Sequence, residues 1–419
     1  MIINKKIGIY IVLIISLLIG YYFEENSSGG AKIDFGILYP YIENLRIDLR
    51  EGFDIYAKNP AILLHSPFFN LIISILLKIH NDLTFINIGY LFVCSILPFI
   101  FYLILKNKIK ISNDYIFYIS IVIFFSPYFR STSIWLLGDN LAIIFFSLST
   151  LFFIKSVDDA ENLKNYFLFL FFLILCSYVR YYYCIYSLYF LANFYQNLSK
   201  KNFCLLLIFS LIFSLPAIGY FYYIIENYNF FGVLSNYGKL NVYSNILIIL
   251  SIFLFYLIPI IIFNLKSIFI HFKENFLFFL LILISLMIIY SIDRFTYLEV
   301  ISFSQRGGGV FLKFFKLLNF DVKFFMSLVS FFSLIILDFL FQKERLNNYL
   351  LLIIIIFSLP LYTLFQKYLD PLIFFIVFGL FKSKVLSEML IKQNINIRFF
   401  IFYFFSFYTF SIFYYTNIL

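Results

Sequence analysis

Ionisable side chains at the ends of apolar segments are the residues of this chain that could do chemistry. Asp34 follows two glycines in SSGGAKIDF, Asp139 lies in FRSTSIWLLGDN, and Arg180 stands between two apolar segments in CSYVRYYY. Charged groups at such positions are costly to desolvate, so each is a candidate functional group. A carboxylate such as Asp34 could act as general base on an incoming hydroxyl, and the planar fork of Arg180 suits phosphate.

Each of these three residues also has an ordinary structural interpretation. Asp34 could be a solvated loop acid. Asp139 could cap the helix that follows it, which is a position that aspartate fills well. Arg180 could extend along its apolar stem to the lipid headgroups. The sequence leaves both interpretations open for each residue.

Further polar groups lie beside the same segments. Arg130 and Trp135, the only tryptophan, share the loop of Asp139, although Trp135 could equally be an anchor at the membrane interface. His65 in LLHSPFF either binds a sugar or phosphate oxygen or helps to seat a helix that begins at a proline. We therefore add Arg130 and His65 to the candidate substrate-binding residues.

Two late motifs supply the remaining candidates. The RGGG run, Arg306–Gly309, resembles an anion-binding nest of backbone amides beside a basic side chain. Lys367 and Tyr368 lie in FQKYLDP, at the end of another apolar segment. The sequence contains no Walker loop, HExxH, GxSxG or cysteine–histidine metal cluster, which disfavours ATP-driven and zinc chemistry.

Composition places these residues in a membrane protein. The 419 residues are 63% hydrophobic and 13% charged, with a mean hydropathy of +0.96, whereas a soluble domain is nearer half apolar and a quarter charged. The net charge of +9 lies in short basic runs between apolar segments, as the positive-inside rule requires. Membrane lipids are therefore the expected surroundings, and nucleic acid is excluded as a partner.

The apolar segments predict an all-α, polytopic protein that forms a single transmembrane domain over residues 1–419. A helix that crosses the bilayer needs about 20 apolar residues. About thirteen segments approach this length, at 7–23, 85–105, 114–130, 139–155, 165–179, 183–198, 203–224, 246–264, 276–292, 322–341, 348–364, 371–381 and 399–415.

The lysine runs predict the orientation. Segment 61–79 is apolar enough to cross, but treating it as an interfacial helix keeps Lys106–Lys110 on the cytoplasmic side with Lys5–Lys6 and the other lysine runs. The N-terminus is then cytoplasmic, and 24–84 is the first external loop with interfacial helices. In a bacterium this would be the cytoplasmic membrane, with the active site external.

The arrangement resembles the multi-span C-type glycosyltransferases, which include protein O-mannosyltransferases, lipid A aminoarabinose transferases and dolichol-linked glucosyltransferases. Asp34 is similar to their catalytic acid in the first external loop, and His65-Ser66-Pro67-Phe68 looks like the start of their membrane-parallel helix. Asp139 matches a second acid, and Arg180 a basic residue between the fifth and sixth spans. The motif at Gln366–Pro371 is similar to their late R-Y-x-x-P motif.

The resemblance implies a glycosyltransferase that moves a sugar from a polyprenyl-phosphate donor to a glycan, lipid or protein acceptor. Asp34 would be the base and Asp139 a second catalytic acid. Arg180 would bind the donor phosphate, with Arg306 or Lys367 assisting, and His65, Arg130 and Tyr368 are the other candidate substrate-binding residues. Other first-loop acids remain alternatives as the base, namely Glu43, Asp48, Glu51 and Asp54. A divalent metal ion held by Asp34 and Asp139 is compatible with this chemistry but is not required by it.

Two other functions fit a many-span chain. An O-antigen or polysaccharide polymerase also acts on polyprenyl-linked substrates, and it usually depends on arginine-rich external loops late in the chain. A transporter or flippase of lipid-linked substrates would place charges along a cavity at the membrane midplane and tends to show paired, interrupted helices in its two halves. The sequence shows no such internal symmetry.

Overall fold

The computed structural model of the chain describes residues 2–58, 65–109, 111–159, 162–228, 242–292, 307–359 and 364–416. Within these ranges the secondary structure is helical, and an isolated β-bridge joins Gly308 and Phe365 without a strand. The predicted all-α class is therefore confirmed for the described residues. The chain divides into two compact units, one of residues 1–108, 112–236 and 404–419 and one of residues 109–111 and 237–403.

The first unit holds the helices of the first loop and those that follow it. They are α1 (Ile2–Tyr22), α2 (Ala31–Ile47), α3 (Leu49–Lys58), α4 (Phe68–Ile79), α5 (Leu83–Cys94), α6 (Leu97–Lys108), α7 (Asn113–Ser120), α8 (Pro127–Ile134), α9 (Asp139–Asp158), α10 (Leu163–Val179), α11 (Ser187–Asn197) and α12 (Lys200–Asn227). Short 3₁₀ helices at Ile121–Phe125 and Tyr181–Tyr186 interrupt this series.

The second unit is built from the later helices. They are α13 (Val242–Ile261), α14 (Leu265–Glu274), α15 (Phe276–Ile292), α16 (Val310–Leu317), α17 (Val322–Phe341), α18 (Arg345–Ser358), α19 (Leu372–Phe374) and α20 (Lys384–Ile391). A 3₁₀ turn lies at Ile262–Asn264, another at Gln366–Tyr368, and a π-helix at Phe375–Leu380. The last helix, α21 (Ile397–Thr416), begins in the second unit, and its residues from Phe404 onward belong to the first.

Seven helical stretches of the described residues are long and apolar enough to cross a membrane. They are Lys5–Tyr22, Leu83–Lys108, Asp139–Asp158, Lys200–Asn227, Tyr243–Glu274, Val322–Phe341 and Ile397–Thr416. This agrees with a multi-pass membrane protein, whereas the predicted total of about thirteen spans is not confirmed. Shorter apolar helices occupy several of the other predicted segments, at Asn113–Phe125, Leu163–Val179, Phe276–Ile288 and Arg345–Ser358.

Local sequence explains why some predicted spans are broken. In segment 114–130, Pro127 occupies the first position of α8 and the Ser126 hydroxyl accepts the amide of Phe129 at 2.9 Å. A capped helix starting at proline cannot continue the preceding one, because proline has no amide to donate. Segment 371–381 instead forms α19 and the π-helix, whose six residues Phe375–Leu380 are all buried within the protein.

The first loop is helical, and its helices pack together. Helix α2 packs against both α3 and α4, and α4 also contacts α10. The described helix α4 is roughly 18 Å long at 1.5 Å per residue, which is short of the about 30 Å of hydrocarbon that a span must cross. Residues 59–64, including the start of the predicted interfacial segment 61–79, lie outside the described residues.

Candidate functional site

Arg180, Asp139 and His65 meet in the first unit. The Nη2 atom of Arg180 lies 2.7 Å from Oδ2 of Asp139, and its Nη1 atom lies 2.9 Å from Nδ1 of His65. These residues are 41 and 115 positions apart in the chain. We call this group the Arg180 centre. It unites three of the predicted site residues on one guanidinium.

The ends of two helices place the ion pair. Arg180 follows α10 as its C-terminal cap, with an extended backbone that turns the chain into the 3₁₀ helix. Asp139 is the first residue of α9, and Gly138 rather than Asp139 occupies the cap position. A Cβ atom at Gly138 would lie 2.9 Å from the ring of Phe69, so glycine permits this close packing against α4. The side chain of Asp139 therefore pairs with Arg180, and the cap position belongs to Gly138.

The third member is positioned by the start of α4. Ser66 donates its hydroxyl to the carbonyl of Tyr178, next to the end of α10, and this contact ties the two segments together. A guanidinium can only donate hydrogen bonds, so Nδ1 of His65 accepts, and the imidazole proton lies on Nε2. His65 is therefore neutral in this contact. The predicted role in seating a proline-started helix is compatible with its position, since α4 follows Pro67.

Tyr56 of α3 closes the centre on another side. Its hydroxyl donates to the carbonyl of His65 at 3.3 Å. Burial raises the pKa of the Tyr56 hydroxyl above its ordinary value, an effect to which Tyr220 adds and which the charge of Arg180 opposes. Sequence reasoning missed Tyr56, because nothing in the motif GFDIYAK distinguishes it from the many other tyrosines of this chain.

The electrostatics of the centre favour one residue as the point of contact with a ligand. Asp139 keeps 4% of its side chain exposed and Arg180 keeps 13%. A buried carboxylate opposite a guanidinium fixes the orientation of the guanidinium, because breaking the pair would leave an uncompensated charge. The more exposed Arg180 is therefore the group that a phosphate oxygen could reach. The alternative in which Arg180 extends to the headgroups would have to accommodate this pairing with Asp139.

Asp34 lies in the first turn of α2 and is partly buried. Its helix packs against α4, which begins three residues after His65. The first loop thus brings the helix of Asp34 to the helix beside the Arg180 centre. That Asp34 acts there as base stays a prediction.

Arg130 belongs to a different buried ion pair. Its Nη2 atom lies 2.6 Å from Oε2 of Glu25, and its Nε atom lies 2.9 Å from Oε1 of the same residue. The Cζ atom of Arg130 also lies 4.6 Å from the centre of the Tyr408 ring. Trp135 donates its indole N–H to the Glu25 carbonyl at 2.8 Å. Arg130 and Trp135 thus connect α8 to Glu25, which follows the C-terminal end of α1. Sequence reasoning missed Glu25, although its place just beyond an apolar span was a signal.

The remaining candidates lie in or near the second unit. The Nζ atom of Lys367 is 5.4 Å from the centre of the Phe365 ring and 5.7 Å from that of Tyr368, within the range of cation–π contacts. Arg306 lies outside the described residues. The neighbouring Gly308 donates its amide to the carbonyl of Leu364 at 2.7 Å, so this amide of the predicted nest is engaged within the protein.

A divalent metal ion held by Asp34 and Asp139 stays a prediction for the residues that the structure describes. Among these residues, no group of three or more histidine, cysteine, aspartate or glutamate side chains is placed to hold a metal ion. Asp139, one of the two predicted ligands, is paired with Arg180 instead.

No protein-family model, curated protein or solved structure matches the chain. The functional assignment depends on the geometry of the Arg180 centre and on the resemblance of the short motifs described above. The geometry supplies a largely buried arginine held by two side chains, beside a helical first loop that carries several acids.

Proposed function

We propose that the chain is a glycosyltransferase that moves a sugar from a polyprenyl-phosphate donor to an acceptor at the external face of the membrane. The observation that carries this proposal is the Arg180 guanidinium, which is held by Asp139 and His65 at 2.7 and 2.9 Å. Arginine binds phosphate through paired N–H groups, and a fixed guanidinium needs no reorganisation when charge develops on the leaving phosphate.

In the proposed reaction, the acceptor hydroxyl attacks the anomeric carbon as the bond from that carbon to the phosphate oxygen breaks. The polyprenyl phosphate leaves with the electron pair of that bond, and Arg180 balances its charge. A first-loop carboxylate, for which we propose Asp34, takes the proton of the acceptor hydroxyl. Attack opposite the leaving phosphate inverts the configuration of the sugar.

The different burial and contacts of the two predicted acids support different roles for them. Asp139 is buried, and its Oδ2 atom is occupied by Arg180, so we propose that it positions the guanidinium. Asp34 is partly buried at the start of α2 and belongs to the predicted external loop, where an acceptor would arrive. The general base is therefore assigned to Asp34.

A binding measurement on the purified protein tests this proposal without knowledge of the sugar. A polyprenyl phosphate is titrated against the protein in detergent, with the polyprenol of the same chain length as the matched ligand. We expect the phosphate to bind and the polyprenol to compete only weakly, because the guanidinium recognises the phosphate. Equal affinity for the two lipids would contradict a phosphate-binding centre.

A further inference from the structure

A second site lies in the first unit, between helices α3 and α12. It is a cavity of about 710 Å³ that opens to the surface. Its lining combines aromatic rings with charged side chains, among them Arg50, Phe53, Asp54, Tyr220, Tyr223 and Tyr228. Binding sites for small molecules commonly measure about 300–1,000 Å³ and combine apolar walls with a few placed polar groups. We call it the α3–α12 cavity.

The cavity exists because α3 has two different faces. Arg50, Phe53 and Asp54 follow the helical spacing of three and four residues and line the cavity. Gly52 and Tyr56 lie on the other face and are buried. A Cβ atom at Gly52 would lie 2.7 Å from the backbone of Leu45, so glycine allows α3 to approach α2 this closely. The charged face of α3 is thereby turned to the cavity.

Hydrogen bonds organise the acidic side of the lining. The hydroxyl groups of Tyr223 and Tyr228 lie 2.7 and 3.0 Å from Oδ1 of Asp54. These two hydrogen bonds lower the pKa of Asp54 below its usual range, and the bond from Tyr223 has the larger effect. Asp54 is therefore a carboxylate at neutral pH. Arg50 and Lys58 supply two positive charges to the same lining, which leaves the cavity with a net positive balance.

The α3–α12 cavity adjoins the Arg180 centre through a single helix. Tyr56, on the buried face of α3, donates its hydroxyl to the carbonyl of His65. Burial raises the pKa of the Tyr56 hydroxyl, Tyr220 raises it further and Arg180 lowers it, so Tyr56 is close to both residues. Tyr220 is itself part of the cavity lining. Both α3 and the C-terminal end of α12 belong to loops that the lysine pattern predicts to be external. A ligand in the cavity would thus lie on the same side of the membrane as the proposed reaction.

We propose that the α3–α12 cavity binds an acidic saccharide, which, on the basis of the proposed function, is part of the acceptor glycan. Aromatic rings can pack against the C–H faces of a sugar ring, and Asp54 and Asn227 can take part in hydrogen bonds with its hydroxyl groups. Arg50 and Lys58 recognise the carboxylate or phosphate that makes the saccharide acidic. A lipid headgroup would need only the positive charges of Arg50 and Lys58, and the aromatic rings of the lining would then have no ligand to contact.

The test uses defined saccharides and no donor lipid. Trigalacturonate, and the uncharged galactose trisaccharide as its matched ligand, are titrated against the purified full-length protein in detergent. We expect trigalacturonate to bind at least tenfold more tightly. Arg50→Gln and Tyr223→Ala should each weaken its binding at least tenfold. The matched controls Arg398→Gln and Tyr222→Ala replace exposed residues outside the cavity lining and should leave the affinity unchanged.

Three outcomes would overturn this inference. They are no binding of trigalacturonate, equal binding of both trisaccharides, and affinities that the two cavity variants do not alter. Adding soluble glycerophosphoglycerol, the headgroup of phosphatidylglycerol, as a competitor tests for a headgroup occupant, because displacement of trigalacturonate by this headgroup at equal concentration would assign the cavity to lipid. Because no donor is present, these results are independent of the polyprenyl-phosphate titration, so the cavity and the proposed reaction can fail separately.

Discussion

The Nη2 atom of Arg180 lies 2.7 Å from Oδ2 of Asp139, although the two residues are 41 positions apart in the chain. The pair joins the C-terminal end of α10 to the first residue of α9, and these helices pack along each other. Because both side chains are largely buried, each charge needs the other as its counter-charge, and the contact holds the guanidinium in one orientation. The proposed chemistry depends on this orientation.

Removing the carboxylate of this pair should be strongly destabilising. Asp139→Asn leaves the guanidinium of Arg180 largely buried without its counter-charge, and breaking such a pair typically costs about 3–5 kcal/mol. Asp158→Asn, at the exposed end of the same helix, is the matched control and should change the free energy of unfolding by less than about 0.5 kcal/mol. Denaturant titration of the purified variants measures both.

The double variant Asp139→Asn/Arg180→Gln sharpens this test. Without either charge, no uncompensated ion remains, so much of the lost stability should return. Additive losses in the double variant would show that the two residues do not act as a pair.

The ion pair of Glu25 and Arg130 should be structural. Glu25→Gln removes the charge that faces the buried guanidinium, and we expect a loss of about 3–5 kcal/mol in unfolding free energy. Glu24→Gln, at an exposed neighbouring position, should have little effect. Where Glu25→Gln still folds, its affinity for polyprenyl phosphate should equal that of the wild type. A selective loss of that affinity would place Arg130 in the donor site.

Asp34→Asn should abolish transfer while leaving donor binding nearly intact. A general base contributes about 10²–10⁴-fold to turnover, and a role in the transition state appears in kcat rather than in affinity. Glu51→Gln, which changes an exposed acid of the same loop, should keep its activity. Unchanged turnover in Asp34→Asn would move the role to another acid of the first loop.

Topology can be measured by cysteine labelling of intact cells. In a background with the exposed Cys184 and Cys204 replaced by serine, Asn107→Cys should resist an impermeant maleimide. Ile47→Cys, in the first loop, should be labelled, because the lysine pattern places that loop outside. Both positions are exposed in the structure. Labelling at Asn107 from outside would reverse the predicted orientation.

Composition and periodicity predicted the helical class and the longest membrane helices, because burying apolar residues in lipid requires long helices. They failed where local chemistry interrupts an apolar run, as Ser126 and Pro127 do between α7 and α8. The sequence singled out Asp139 and Arg180 separately, since charges beside apolar segments are conspicuous. It could not pair them, because the pairing depends on how α9 packs against α10.

The central claim is that Arg180 binds the phosphate of the donor, and titration of a polyprenyl phosphate against three purified forms tests it most directly. Arg180→Lys keeps the charge but loses the paired N–H groups, so it should retain part of the affinity. Arg180→Gln should lose roughly 1.5–3 kcal/mol, the usual scale for hydrogen bonds to a charged group. Thermal unfolding of the same samples confirms that each form is folded. A graded loss from wild type to Lys to Gln is the predicted result, and equal affinities in all three folded forms would contradict the account.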